Sequence, residues 1–127
     1  MIIDIISKVY DGRIKLQEPF EVKMLDMPKE LKDILTKSNG IMEVMVIPQK
    51  NELIDIGWII YPYAEMCKET EYYKNEYGIN GIVFSSDGAG NPYYLMEGKV
   101  YELDSIDNES EIKAESFVEF FEMIKDR

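Results

Sequence analysis

The sequence predicts an α+β domain: a mostly antiparallel sheet, running as a meander, flanked by about four helices. Three observations carry this. Apolar residues recur at helical spacing near both ends of the chain. Short apolar runs in the middle are separated by turns bearing glycine, asparagine and proline. At 127 residues the chain suits one domain, which can bury about two thirds of its extended surface without a metal or disulfide staple. Residues 1–127 are therefore read as a single domain.

Ile2, Ile3, Ile6, Val9 and Tyr10 lie on one helical face, so residues 2–10 are read as a short amphipathic helix. A strand competes, because Ile and Val favour sheets. Asp11-Gly12 ends the element either way. Residues 13–27 fit either a short strand or an irregular connection, with Pro19 interrupting, and that choice stays open. Pro28 suits the first turn of a helix. Leu31, Ile34, Leu35 and Ser38 share its inner face, and Asn39-Gly40 is read as its left-handed stop.

Ile41–Ile47 is apolar on both faces and reads as an interior strand covered on each side. A polar turn at 48–52 leads to a second extended stretch, 53–60, broken by Gly57. Pro62 opens a helix in which Tyr63, Met66, Cys67, Thr70, Tyr73 and Tyr77 form a stripe, closed by Gly78. Strands at 81–85, 93–96 and 100–103, joined by turns at 86–91 and 97–98, make the meander. Residues 104–111 read as an acidic surface loop. Ser116 and Glu119 form a capping box ahead of the stripe Phe117, Phe120, Phe121 and Ile124.

Fourteen Lys+Arg against 25 Asp+Glu give a net charge of −11. Such a balance opposes nucleic acid and anionic membranes and favours a basic protein or a cation, although acidity also serves solubility alone. The single cysteine excludes an internal disulfide and fits a reducing compartment. With no basic leader and no apolar run of bilayer length, the expected location is cytoplasmic. The chain has no histidine, so Ser-His-Asp triads, Cys-His pairs and histidine zinc sites are excluded. There is no GxGxxG and no GxxxxGK[ST]. No catalytic residue, metal or cofactor is expected.

Weighed singly, the motifs give little chemistry. The Asp87-Gly88-Ala89-Gly90-Asn91 turn lacks the ligand spacing of a calcium loop and reads as a glycine-permitted hairpin. Cys67 has no base beside it in the pattern and reads as a small core hydrophobe.

Five stretches, in order, resemble the SUKH superfamily. They are Met27-Pro28-Lys29-Glu30-Leu31-Lys32-Asp33-Ile34-Leu35 with Ser38-Asn39-Gly40; Glu71-Tyr72-Tyr73-Lys74-Asn75-Glu76-Tyr77-Gly78; and Asp87-Gly88-Ala89-Gly90-Asn91-Pro92-Tyr93-Tyr94-Leu95. Gly98-Lys99-Val100-Tyr101 and Ala114-Glu115-Ser116-Phe117-Val118-Glu119-Phe120-Phe121 complete the set. Asn91 stands where many members carry Asp, and Met27 where many carry Leu. The usual acidic helix before the Leu-Pro start is not visible in residues 13–26.

The resemblance implies a protein-binding domain. Most bacterial members are held to be immunity proteins that neutralise polymorphic toxins, often nucleases; a fungal branch regulates cell-wall synthesis. It brings no catalytic residues. The expected partner is a cognate toxin domain, with a regulatory or scaffolding role as the alternative and an enzyme as a distant third. The chain is expected as a monomer or weak dimer. Tyr and Trp anchor interfaces and acidic groups steer basic partners. The candidate partner-binding residues are therefore Tyr61, Tyr72, Asp87, Asp104, Asp107, Glu109 and Glu111.

Overall fold

The computed structural model describes residues 2–21 and 27–124. The isoleucine-rich start is helical: α1 spans Ile2–Val9 and buries Ile6 completely. A strand β1, Ile14–Leu16, follows, which settles part of the open stretch; residues 22–26 lie outside the described residues. The chain at 17–20 is fixed by its run alongside the next helix. The Gln17 amide donates to the Ser38 hydroxyl at 2.7 Å, and the Phe20 amide donates to the Leu35 carbonyl at 2.9 Å.

Helix α2, Lys29–Leu35, buries Leu31, Ile34 and Leu35. Its end differs from the expectation. The cap is Thr36 in right-handed geometry, so Asn39-Gly40 does not stop this helix. Those two residues instead turn the chain into the sheet. Gly40 has φ +94, and a Cβ there would lie 2.8 Å from the Pro62 backbone nitrogen.

Strands β2, Ile41–Ile47, and β3, Glu52–Ile60, pair antiparallel, and β1 pairs with the first half of β2. β2 is central in its sheet but is not covered on each side: Met45 and Val46 are exposed. Nor does Gly57 break the second stretch. β3 is continuous, and a bulge at the Glu43/Val44 step absorbs the irregularity. Helix α3, Tyr63–Tyr77, begins after Pro62 and ends on Gly78 at φ +72, the left-handed stop read from the sequence.

The second sheet is a meander of β4, Ile82–Ser86, β5, Pro92–Met96, β6, Lys99–Asp104, and β7, Glu109–Ala114. The α+β class and its antiparallel meander hold, with the strands divided into two sheets of three and four. One expectation changes here. The expected acidic loop at 104–111 is half strand, because Asp104 ends β6, Glu109–Ala114 forms the edge of the meander, and only residues 105–108 turn. A polar edge strand faces water along its length, so it lacks the apolar alternation that marks a half-buried one.

Helix α4, Phe117–Ile124, closes the fold. The Ser116 hydroxyl accepts the Glu119 amide at 3.1 Å, as the capping box requires. The Glu119 carboxylate reaches back one residue further than expected, to the Glu115 amide at 3.0 Å.

One apolar core joins Ile6, Leu31, Leu35, Ile60, Phe84 and the three buried phenylalanines of α4. A smaller cluster of Ile79, Val83, Tyr94 and Leu103 lies under α3. The alternation along β6 explains the division: Val100 faces α4, whereas Tyr101 and Leu103 face α3.

Candidate functional site

The β4–β5 turn is organised by its own carboxylate. Asp87 accepts the amides of Ala89 at 2.7 Å and Asn91 at 3.2 Å, and the Asn91 side-chain amide at 3.1 Å. Gly88 and Gly90 adopt φ +84 and +92, which their missing Cβ permits. Asn91 passes the tie onward, accepting the amide and hydroxyl of Ser105 at 3.0 and 3.1 Å. Asp104 shapes the β6–β7 turn in the same way, accepting the amides of Ile106 and Asp107. The two turns are thereby held side by side.

Strand register then stacks acids against acids. Glu102 lies opposite Glu111, and Asp104 opposite Glu109. Directly opposed like charges destabilise a sheet. Lys113 offsets part of this, with its ammonium 3.2 Å from Glu102 and 2.7 Å from Glu111. Both contacts hold its pKa above the ordinary lysine value. Burial raises the Glu102 carboxyl, and its hydrogen bond to Asp87 raises it further. Partial burial pushes Asp87 upward too, but the Ala89 amide, Glu102 and Asn91 outweigh it and hold Asp87 low.

The result is a concavity of about 250 Å³ lined by Asp87, Asn91, Glu102, Asp104, Glu109, Ser110 and Glu111. A second hollow of about 380 Å³ shares Asp87 and Glu102 and adds Tyr93, Lys113, Phe120, Met123 and Ile124. Five carboxylates and one ammonium therefore face one region of the molecule. Such an arrangement attracts cationic groups and repels phosphates.

Four of the seven residues singled out in the sequence meet in that concavity: Asp87, Asp104, Glu109 and Glu111. Asp107 sits exposed on the adjoining turn. Tyr61 and Tyr72 belong to the other face of the sheet, under and on α3. Tyr61 is half-buried and hydrogen-bonded to Ser86; burial raises its hydroxyl pKa, and Glu69 and Glu65 add to this. Tyr72 is exposed and meets Tyr73 edge-on at 5.0 Å. Burial also raises Tyr73, with Glu69 reinforcing it.

Sequence reasoning missed Glu102 and Lys113, the pair that ties the concavity together. Their signal was the pairing of β6 with β7, invisible while β7 read as loop. Cys67 is also placed differently from its expectation: it is exposed, beside Met66 and Thr70 at the rim of an apolar hollow. The stripe named on α3 is broader than the buried strip, in which Met66 alone is fully covered. No group of acidic or sulfur ligands spaced for a metal occurs among the described residues. None of the described helices is long and apolar enough to cross a membrane.

No curated protein matches the chain, and no solved structure does. The family model of SMI1 / KNR4 (SUKH-1) matches residues 19–123, from the segment beside α2 to the last turn of α4. That span covers both sheets beyond β1 and both acidic turns, and the chain belongs to the SMI1 / KNR4 family, SUKH-1.

Proposed function

We propose that this protein is an immunity protein that binds one cognate polymorphic toxin and neutralises it by occupying its surface. Family membership carries an immunity or regulatory role exercised through protein contact. The observation that favours immunity against a basic toxin is the carboxylate concavity between the β4–β5 and β6–β7 turns, on a chain of net charge −11. A nuclease must present an electropositive groove to its substrate. An array of fixed carboxylates competes for that groove by standing in for phosphates. Tyr61 and Tyr72 on the opposite face, and Asp107 on the turn, would extend the contact.

In this reading the whole chain acts as one domain in the cytoplasm, as a monomer or weak dimer, and makes or breaks no bond. Co-expression with the toxin encoded by the adjacent reading frame tests it. Growth should be rescued and the two chains should co-purify. Rescue failing with every neighbouring gene favours the family's regulatory role instead.

A further inference from the structure

We propose that the outer half of the β2–β3 hairpin docks the partner by strand addition: an extended, basic segment pairs with the open edge of β3 at residues 52–56. This rests on the protein-binding reading above and names a second surface for it.

The edge is open in the main chain. β3 ends its sheet, and β4 approaches only its far end, where the Tyr61 amide donates to the Phe84 carbonyl at 2.8 Å. The Val44 amide points away from β3, donating to the Arg13 carbonyl at 3.0 Å. Antiparallel pairs alternate, so Asp55, opposite Val44, and Leu53, opposite Val46, turn their own N–H and C=O groups outward. No described residue bonds to them there. β1 lies on the opposite edge of this sheet, paired with residues 41–43 of β2, and does not pair with β3.

The side chains make this edge adhesive. Leu53 is 65% exposed, Ile56 53%, Val46 50% and Met45 45%. Soluble proteins ordinarily blunt such an edge with lysine, proline or an inward charge. Here the edge carries Glu52 and Asp55, the latter paired with Lys15 at 3.2 Å.

That charge selects the occupant. A second copy would bring its own Glu52 and Asp55 onto this edge, together with another net charge of −11. A basic segment meets no such repulsion. Antiparallel addition places residues opposite Ile56, Asp55, Ile54, Leu53 and Glu52 in turn, so the matching pattern is apolar, basic, apolar, apolar, basic. Main-chain bonds supply affinity, and the two cations supply selectivity.

The probe is the capped peptide Val-Lys-Val-Val-Lys, with Val-Glu-Val-Val-Glu as control, read by amide hydrogen exchange on the full chain. The basic peptide should slow exchange at Leu53 and Asp55 by about tenfold or more, while Ile54, already bonded to β2, changes little. The acidic peptide should leave all three unchanged. Leu53→Pro removes one outward donor and should abolish the protection of Asp55. Asp55→Lys, a surface change that preserves the edge, should weaken the basic peptide and admit the acidic one.

Absence of protection, equal protection by both peptides, or protection that grows with protein concentration alone would overturn the inference. The co-expression assay separates the two readings. Rescue by Leu53→Pro as complete as by the unsubstituted chain removes the docking edge and leaves the immunity role standing. Failure of the unsubstituted chain to rescue removes the immunity role, whatever the peptides do.

Discussion

Asn39 follows α2 in the chain but serves α3: its side-chain oxygen accepts the Tyr63 amide at 2.7 Å. Tyr63 is the first helical residue after Pro62, which offers no side-chain cap of its own. The helix that packs over the second sheet is thus capped from the segment that leads into the first. Asn39→Ala leaves that amide without its partner and should cost about 1 kcal/mol, measured as a lower urea midpoint with an unchanged slope.

Gly40 beside it answers to two constraints at once. Its φ of +94 disfavours any side chain, and an added Cβ would press on the Pro62 nitrogen at 2.8 Å and the Ile60 carbonyl at 3.1 Å. These neighbours are backbone and cannot swing aside. Gly40→Ala should therefore destabilise the fold by about 2 kcal/mol or more. Gly12→Ala, at φ +75 with open space around its Cβ position, should cost less. Thermal denaturation of the two variants compares them.

Phe84 ties the sheet to α4, with its ring 5.1 Å from Phe117 and 5.8 Å from Phe120. It is fully buried. Phe84→Ala should cost about 3–5 kcal/mol. Against a typical stability of about 5–15 kcal/mol, that loss should appear as a large drop in the melting temperature followed by circular dichroism.

The acidic turns predict a pH signature. Burial and Asp87 raise the Glu102 carboxyl, so the folded chain holds that proton more tightly than the unfolded chain does. Glu102 therefore withdraws stability as pH rises from the ordinary glutamate value, about 4.3, through its folded value. Asp87 is lowered and acts in reverse. Its stabilisation is present above about 3.9 and is lost as pH falls through its folded value. Glu102→Gln keeps a donor for Asp87 and removes one of two opposed charges. Its urea midpoint should exceed that of the unsubstituted chain at pH 7, and the difference should close near pH 4. An advantage that persists unchanged at pH 4 contradicts this account.

The parts legible in the sequence are those with a strong local period or a stereochemical stop. The Phe117, Phe120 and Phe121 stripe, the Leu31, Ile34 and Leu35 face, and the Gly78 stop all announce their own geometry. β7 was not legible, because Glu109, Ser110 and Glu111 are exposed edge residues, and Glu109 and Glu111 face acids across the strand pair. The concavity was half legible for the same reason: its turn carboxylates stand out, while Glu102 and Lys113 matter only once two strands pair. The roles of Asn39 and Gly40 depend on Pro62 and Tyr63 arriving from elsewhere, and no local pattern encodes that. The exposed hairpin was misread because apolar faces usually signal burial, whereas Val46 and Leu53 face solvent.

The central claim is neutralisation by stoichiometric contact. The direct measurement titrates the chain into the toxin encoded beside it, following toxin activity and complex mass together at low and high salt. The account predicts activity falling linearly to zero at one chain per toxin, a complex of matching mass, and association that slows as salt rises. Activity abolished by substoichiometric amounts of the chain, with no complex formed, would contradict it.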